Sequence, residues 1–405
     1  MSYKILTGNV LDRLKDIEAE SVQCVVTSPP YFGLRNYGEE EQIGLEPTPE
    51  EYVSTMVRVF REIRRVLRDD GTVWLNLGDS YAQSGGSGLG EYAKTHKQFG
   101  KVINSGTIQR PRKAPPPLKP KDLIGIPWAV ALALRNDGWY LRADIIWDKP
   151  NPMPSSAKDR PTISHEYIFL LTKSPQYHYD REAIMEPVAE STIKRVFAKD
   201  NVDIRKDADT NQYAISGSSQ KKAHEKARKM LESGMSLLRN KRSVWRVAKH
   251  SYRGAHFAVF PPKLIEPCVL AGGSIKACGK CGAPWKRDIE YHKPGRTETY
   301  QDDNPVLGSR GQSGLKTDGI QKKKFYGWKP GCECNTNETR KVVILDPFAG
   351  SGTTLQVAIQ NGMFGLGIEL NPDYVNLIHD RLLPLVPGDE QLNLLVNHSS
   401  GMHGY

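Results

Sequence analysis

The apolar run Val22 to Val26 ends on Thr27-Ser28-Pro29-Pro30-Tyr31, and this break restricts the fold more than any other stretch of the chain. The run reads as a short buried strand. Two successive prolines cannot continue a hydrogen-bonded ladder, so the chain must leave the sheet at Ser28. The result is a stiff turn at a strand's carboxyl end, carrying a hydroxyl, backbone carbonyls and an aromatic ring. Open α/β sheets bind ligands at that edge. Such a turn can hold a flat ring against Tyr31 while Ser28 and the Pro29 carbonyl accept hydrogens from an amino group. Taken alone, a Pro-Pro pair after a strand usually marks no more than a turn.

A second motif changes that reading. Another apolar run, Val342 to Leu345, leads into Asp346-Pro347-Phe348-Ala349-Gly350-Ser351-Gly352-Thr353-Thr354, after which a helical pattern begins. A strand, a glycine turn and a helix start make a cofactor cradle. Phe364 to Leu370 reads as a further strand, and its Glu369 lies 23 residues after Asp346. An acid at about that interval is placed to bind ribose hydroxyls.

These three segments resemble the amino-directed DNA methyltransferases that use S-adenosylmethionine. The match is close in Ser28-Pro29-Pro30-Tyr31, in Asp346 to Gly352 and in Gly367-Ile368-Glu369-Leu370-Asn371-Pro372. Catalytic motif first and cofactor motif last is the order of the family's beta class. The resemblance covers residues 1–80, 120–180 and 240–385. It implies an α/β fold: a circularly permuted Rossmann-like sheet with helices on both faces, in which the strand ending at Glu369 neighbours the one ending at Asp346. It implies that Ser28, Pro29, Pro30 and Tyr31 are catalytic. Asp346, Pro347, Phe348, Ala349, Gly350, Ser351, Gly352 and Glu369 would bind the cofactor. His256 to Pro262 resembles the segment beside the methionine part, which nominates Phe260, although a core aromatic fits there equally. Gly8-Asn9 resembles a Gly-Asp near the cofactor adenine, with Asn9 in place of the acid. Asp79 is either a pocket residue or a helix cap, and Trp147-Asp148-Lys149-Pro150 resembles a pocket wall.

The chemistry follows from the target. The exocyclic amine of cytosine or adenine is a poor nucleophile, because its lone pair is delocalised into the ring. Accepting its hydrogens at Ser28 and the Pro29 carbonyl would turn that lone pair toward a sulfonium methyl, by positioning and local electrostatics without a covalent intermediate. The base must leave double-stranded DNA to reach the pocket and stack on Tyr31. Serine at the first motif position goes in the family mostly with cytosine N4, and an acid or amide there with adenine N6. Cytosine N4 is therefore the favoured target, with adenine N6, an RNA amine and a non-catalytic DNA-binding role as alternatives. A cognate restriction endonuclease is a possible partner. A 5-position cytosine enzyme would need a Pro-Cys thiolate; Pro267-Cys268 lies in an apolar helical segment and reads as core.

Cys278-Gly279-Lys280-Cys281 and Cys332-Glu333-Cys334 contain four of the six cysteines. Four thiolates suit a closed tetrahedral structural zinc site; a redox or disulfide pair is the other reading, less suited to a cytoplasmic setting. The net charge of +10 and pI near 9.1 suit a polyanionic partner. No stretch reaches the ~18 apolar residues a membrane span needs, and the chain enters a strand at Tyr3 without a leader pattern. A cytoplasmic, prokaryotic or phage-encoded protein is expected, without a membrane partner.

Residues 1–180 are expected to form the catalytic half, with strands from Lys4 and Thr72, helices over Leu11 to Ile17, Glu50 to Arg68 and Asp122 to Arg135, and paired strands at Tyr140 to Trp147 and Glu166 to Thr172. The Gly/Ser/Lys/Pro-rich stretch 82–120 reads as a mobile loop, either closing over the site or passive. Dense lysine and arginine mark 181–243 as a basic insert, either a solvated helix face or the target-recognition region. Residues 244–270 return to the core, 271–340 form a small zinc-ribbon-like insert packed by Trp285 and Trp328, 341–385 form the cofactor half, and 386–405 a tail.

Overall fold

The computed structural model describes residues 1–34, 39, 41–82, 118–197, 238–249, 260–292 and 322–388. Most of the 82–120 loop, the centre of the basic insert and most of the tail therefore lie outside the described residues. The chain forms two compact units. One comprises Met1–Ile184, Arg242–Lys286 and Pro330–Tyr405; the other comprises Met185–Lys241 and Arg287–Lys329.

The first unit is built on an eight-stranded sheet. Its strands in chain order are β1 (Tyr3–Thr7), β2 (Val22–Thr27), β3 (Leu67–Leu77), β4 (Tyr140–Asp148), β5 (His165–Thr172), β6 (Val244–Arg246), β7 (Val343–Asp346) and β8 (Phe364–Glu369). They lie side by side as β1-β8-β7-β2-β3-β5-β4-β6. The run from β1 to β3 is parallel, and β5 is antiparallel to both its neighbours. Strands from the end of the chain thus sit between two from its beginning. β7 and β8 pair directly, with Asp346 opposite Gly367. β6, which the sequence pattern did not reveal, adds the outer strand beside β4.

Every residue of β2 is buried, as befits a parallel strand covered on both faces. Val25 points into one core with Val73 and Leu75, while Cys24 and Val26 point into another with Trp74. The first core is packed by helices α1 (Val10–Lys15), α2 (Pro49–Val66) and α3 (Ile126–Asn136). The second is packed by α4 (Pro262–Gly272) and α5 (Thr353–Gln360). A last helix, α6 (Pro372–Leu382), follows β8 and packs with α5 and β1. Cys268 is wholly buried within α4, as a core cysteine should be.

α2 is specified locally. Thr48 caps the Glu51 N–H at 3.2 Å, Pro49 occupies the first turn, acids begin the helix and arginines end it, the order that suits the helix dipole. Its buried face runs through Tyr52, Met56, Val59, Phe60, Ile63 and Val66. The helix stops at Val66 and the chain passes directly into β3, because Leu67 is already extended; the expected end at Arg68 lies inside the strand. α3 begins at Ile126 instead of Asp122, because Gly125 adopts φ +81° and Pro127 fits only a first turn.

The second unit contains a short strand pair, Glu186–Pro187 with Leu238–Arg239, and helix Glu190–Phe197. It also holds a hairpin of Lys286–His292 with Lys322–Lys329. Residues 271–340, expected as one insert, are divided between the units: all four motif cysteines belong to the first. Trp328 packs with Phe325 and under Arg287 in the hairpin, whereas Trp285 lies under Lys276 in the first unit. Trp285 thus belongs to the first unit and Trp328 to the second.

Candidate active site

The stiff turn after β2 is anchored at both ends. The Thr27 hydroxyl, wholly buried, donates to Asp346 Oδ1 at 2.7 Å. The Tyr52 hydroxyl donates to the Pro30 carbonyl at 2.9 Å. Tyr31 packs over Gly78, where a Cβ would come within 2.6 Å of its ring. The Tyr31 hydroxyl contacts Ser28 Oγ at 3.3 Å, Asn76 Oδ1 at 3.2 Å and Glu166 Oε2 at 2.8 Å. Burial, then the Glu166 charge, raises its pKa well above the ordinary phenol value, so it stays protonated. Lys149 is ion-paired with Glu166 and sits 4.3 Å from the Trp147 ring centre.

The glycine turn after β7 is held from behind. Asp346 is 1% exposed. Its carboxylate takes the Thr27 and Thr354 hydroxyls and the Phe348 N–H. Burial outweighs those bonds and raises its pKa to about 6. Gly350 donates to Glu369 Oε2 at 2.8 Å and Asn371 to Oε1 at 2.9 Å. Burial raises Glu369 to about 7. Gly352 opens α5 at φ +76° with no side-chain cap, and a Cβ there would meet Ile378 at 2.8 Å. Arg381 of α6 braces the loop through the Ser351 carbonyl and hydroxyl and the Thr353 hydroxyl.

Both turns open into one cavity of about 1060 Å³. Ser28, Pro29, Pro30, Tyr31, Asn9, Phe260, Glu369 and every residue from Asp346 to Ser351 line it, as do Asp79, Trp147 and Lys149; Gly352 is not among the lining residues. Several of these residues also have structural duties. Asn9 caps α1 by accepting the Leu11 N–H and donates to Glu41. Phe260 packs against the α4 core. Asp79 accepts the Gly125 and Ile126 N–H groups at the start of α3 while lining the cavity. Burial raises its pKa. Asn76 and Glu166 were not singled out from the sequence. A polar residue within the apolar run Trp74 to Leu77 was the available signal for Asn76; Glu166 had none, because only the β3–β5 pairing brings it near.

The second group of motif residues meets elsewhere in the first unit. Ala277–Cys278 pairs with Thr339–Arg340, and the sulfurs of Cys278, Cys281, Cys332 and Cys334 all lie within 4.8 Å of one another. Backbone N–H groups, that of Cys281 foremost, lower Cys278 to about 6. Hydrogen bonding with Cys281 and Cys332 raises Cys334 to about 12. Gln23 of β2 ties this loop to the sheet, donating to the Gly282 carbonyl at 3.0 Å and accepting the Val343 N–H at 2.6 Å. Arg68 donates to the Cys281 carbonyl.

The chain is 36% identical to the type II methyltransferase M.SmaI of Serratia marcescens over 94% of its own length and 91% of that protein. It is 36% identical to M.Cfr9I of Citrobacter freundii, covering 93% of this chain and 87% of that one. The solved PvuII DNA methyltransferase (cytosine-N4-specific) aligns over 97% of this chain and 91% of its own, with 14% identity and a TM-score of 0.49. The model of the N6/N4 DNA methylase family matches residues 22–274 and 333–380. That match spans both the Ser28 turn and the glycine turn, and with the near full-length relatives it shows that the chain belongs to the N6/N4 DNA methylase family.

Proposed function

We propose that this chain transfers a methyl group from S-adenosylmethionine to the N4 amine of a cytosine flipped out of double-stranded DNA, on a circularly permuted Rossmann-like sheet. The observation that carries the reading is the Thr27–Asp346 hydrogen bond at 2.7 Å. It joins the amine-binding turn to the glycine turn at the edge of one cavity. The cavity residues fit the cofactor: an uncapped helix start, a buried acid at the end of β8, and a Gly350 at φ +53° where a Cβ would meet only the Phe348 carbonyl, at 3.9 Å. Asp346 to Gly352, Glu369 and Phe260 would hold it. When bound, S-adenosylmethionine would supply a sulfonium methyl: the carbon–sulfur electron pair would return to sulfur, the amine nitrogen would gain the methyl carbon, and the proton it sheds would pass to solvent water.

The rest of the work belongs to the chain's own residues. Ser28 and the Pro29 carbonyl accept the amine hydrogens and orient its lone pair, while Tyr31 offers its ring to the extruded base. Ser28 supports cytosine N4 over adenine N6. Incubation with DNA and labelled S-adenosylmethionine, followed by nucleoside digestion, tests this: label in N4-methylcytosine is expected. Label only in N6-methyladenine refutes the base, label only in RNA refutes the DNA substrate, and no label refutes the enzyme. The names of the type II relatives also support a cognate restriction endonuclease as partner. The second unit and the basic residues 181–243 serve target recognition in this reading.

The four clustered sulfurs support a structural zinc ion. Four thiolates so close need a cation to remain ionised together, and tetrahedral sulfur is a zinc environment. Elemental analysis of protein purified without chelator is expected to give one zinc per chain.

A further inference from the structure

The hydroxyl of Ser28 can serve the amine only as an acceptor, yet a hydroxyl is equally able to donate. The surroundings decide which. Asn76 donates its amide to the Tyr167 carbonyl at 3.0 Å and to Glu166 Oε2 at 3.3 Å, which turns its oxygen toward the Tyr31 hydroxyl. Glu166, paired with Lys149, presents an acceptor-only carboxylate oxygen to the same hydroxyl at 2.8 Å. The Tyr31 proton is therefore taken by Glu166 or Asn76, and Tyr31 Oη can only accept from Ser28 at 3.3 Å. The Ser28 proton then points at Tyr31, and its lone pairs face the cavity.

We propose that Glu166, with Asn76 and Lys149, is a positioning group that sets the direction of the hydrogen-bond chain from Ser28 through Tyr31 and so makes Ser28 an obligate acceptor for the target amine. The direction of the bonds runs from Ser28 to Tyr31 to Glu166, and from Lys149 to Glu166. None of the three positioning residues need touch the amine. In this scheme the phenol is more than a stacking ring: its oxygen takes the one proton that would otherwise oppose the substrate's N–H. The proposal rests on the methyl-transfer reading above.

Three variants test it on the full-length protein, with labelled methyl transfer to DNA and separate measurement of cofactor binding. Tyr31→Phe keeps the ring and deletes only the oxygen. It is expected to lower kcat about 10- to 100-fold, the scale of one hydrogen bond to a developing charge, with KM for DNA and cofactor affinity little changed. Glu166→Gln keeps size and shape. Lys149 retains the amide oxygen, so the amide N–H faces Tyr31 and competes with Ser28 as donor; kcat should fall. Adding Lys149→Met frees that amide to turn its oxygen to Tyr31, and the double variant should recover part of the loss. A Tyr31→Phe enzyme with full kcat overturns the proposal, and so does a double variant slower than Glu166→Gln alone. An inactive wild-type protein would instead refute the underlying reading.

Discussion

Thr27 and Asp346 stand 319 positions apart in the chain, and their side chains hold the site together. Thr27→Val would leave the buried Asp346 carboxylate short of one donor and should lower unfolding free energy by about 1–3 kcal/mol, measured by urea titration. Ser28→Ala is expected to abolish methyl transfer while cofactor binding, read by calorimetry, stays near wild type; loss of both would move Ser28 out of its assigned role. The buried acids also set a pH dependence. Unfolded, Asp346 and Glu369 release their protons near 3.8 and 4.5; folded, near 6 and 7. In that interval the folded chain binds more protons than the unfolded one. Their contribution to stability is thus full below about pH 4 and is lost as pH rises to about 7. The unfolding free-energy difference between wild type and Asp346→Asn should shrink over pH 4 to 6, and a flat difference would contradict a carboxyl raised by burial.

Elements carry the site into place, and their ends matter more than their middles. Asp79, at the end of β3, takes two N–H groups at the start of α3 while lining the cavity. Asp79→Ala should cost about 0.5–2 kcal/mol, the usual loss of a helix cap, seen as a lower urea midpoint. The glycine turn is less tolerant. Gly352→Ala would place a Cβ against Ile378 at a φ that L side chains rarely adopt, so weaker cofactor binding is expected along with lower stability. Much at this scale was legible in the sequence. The strands ending at Thr27, Asp346 and Glu369 and the existence of α2 follow from apolar runs and periodicity, which are local. The start of α3 was misplaced because Gly125 takes a left-handed conformation, and the two N–H groups it leaves at the helix start are met by Asp79 from another element. The edge strand β6 was invisible because three residues carry no pattern of their own.

Across the first unit, Gln23 joins the cysteine loop both to β2, the strand that delivers Ser28, and to Val343 at the start of β7. The proposed metal should therefore be felt at the cavity. Stripping it with chelator is expected to lower the melting temperature and to weaken cofactor binding, and Gln23→Ala should reduce the second effect more than the first. Unchanged cofactor affinity in metal-free protein would show the two regions to be independent. What the sequence by itself determined is the set of chemical parts: a proline-stiffened turn, a glycine turn with its acid, four paired thiols and a basic charge surplus. Each is written in contiguous residues whose backbone preferences need no distant partner. Only the tertiary structure decided which parts meet. Sheet order sets β7 beside β2, the β3–β5 pairing brings Glu166 to Tyr31, the β4–β5 pairing brings Lys149 to Glu166, and a strand pair gathers the cysteines. Such contacts depend on register and packing between segments that are not neighbours in the chain, which no local pattern encodes.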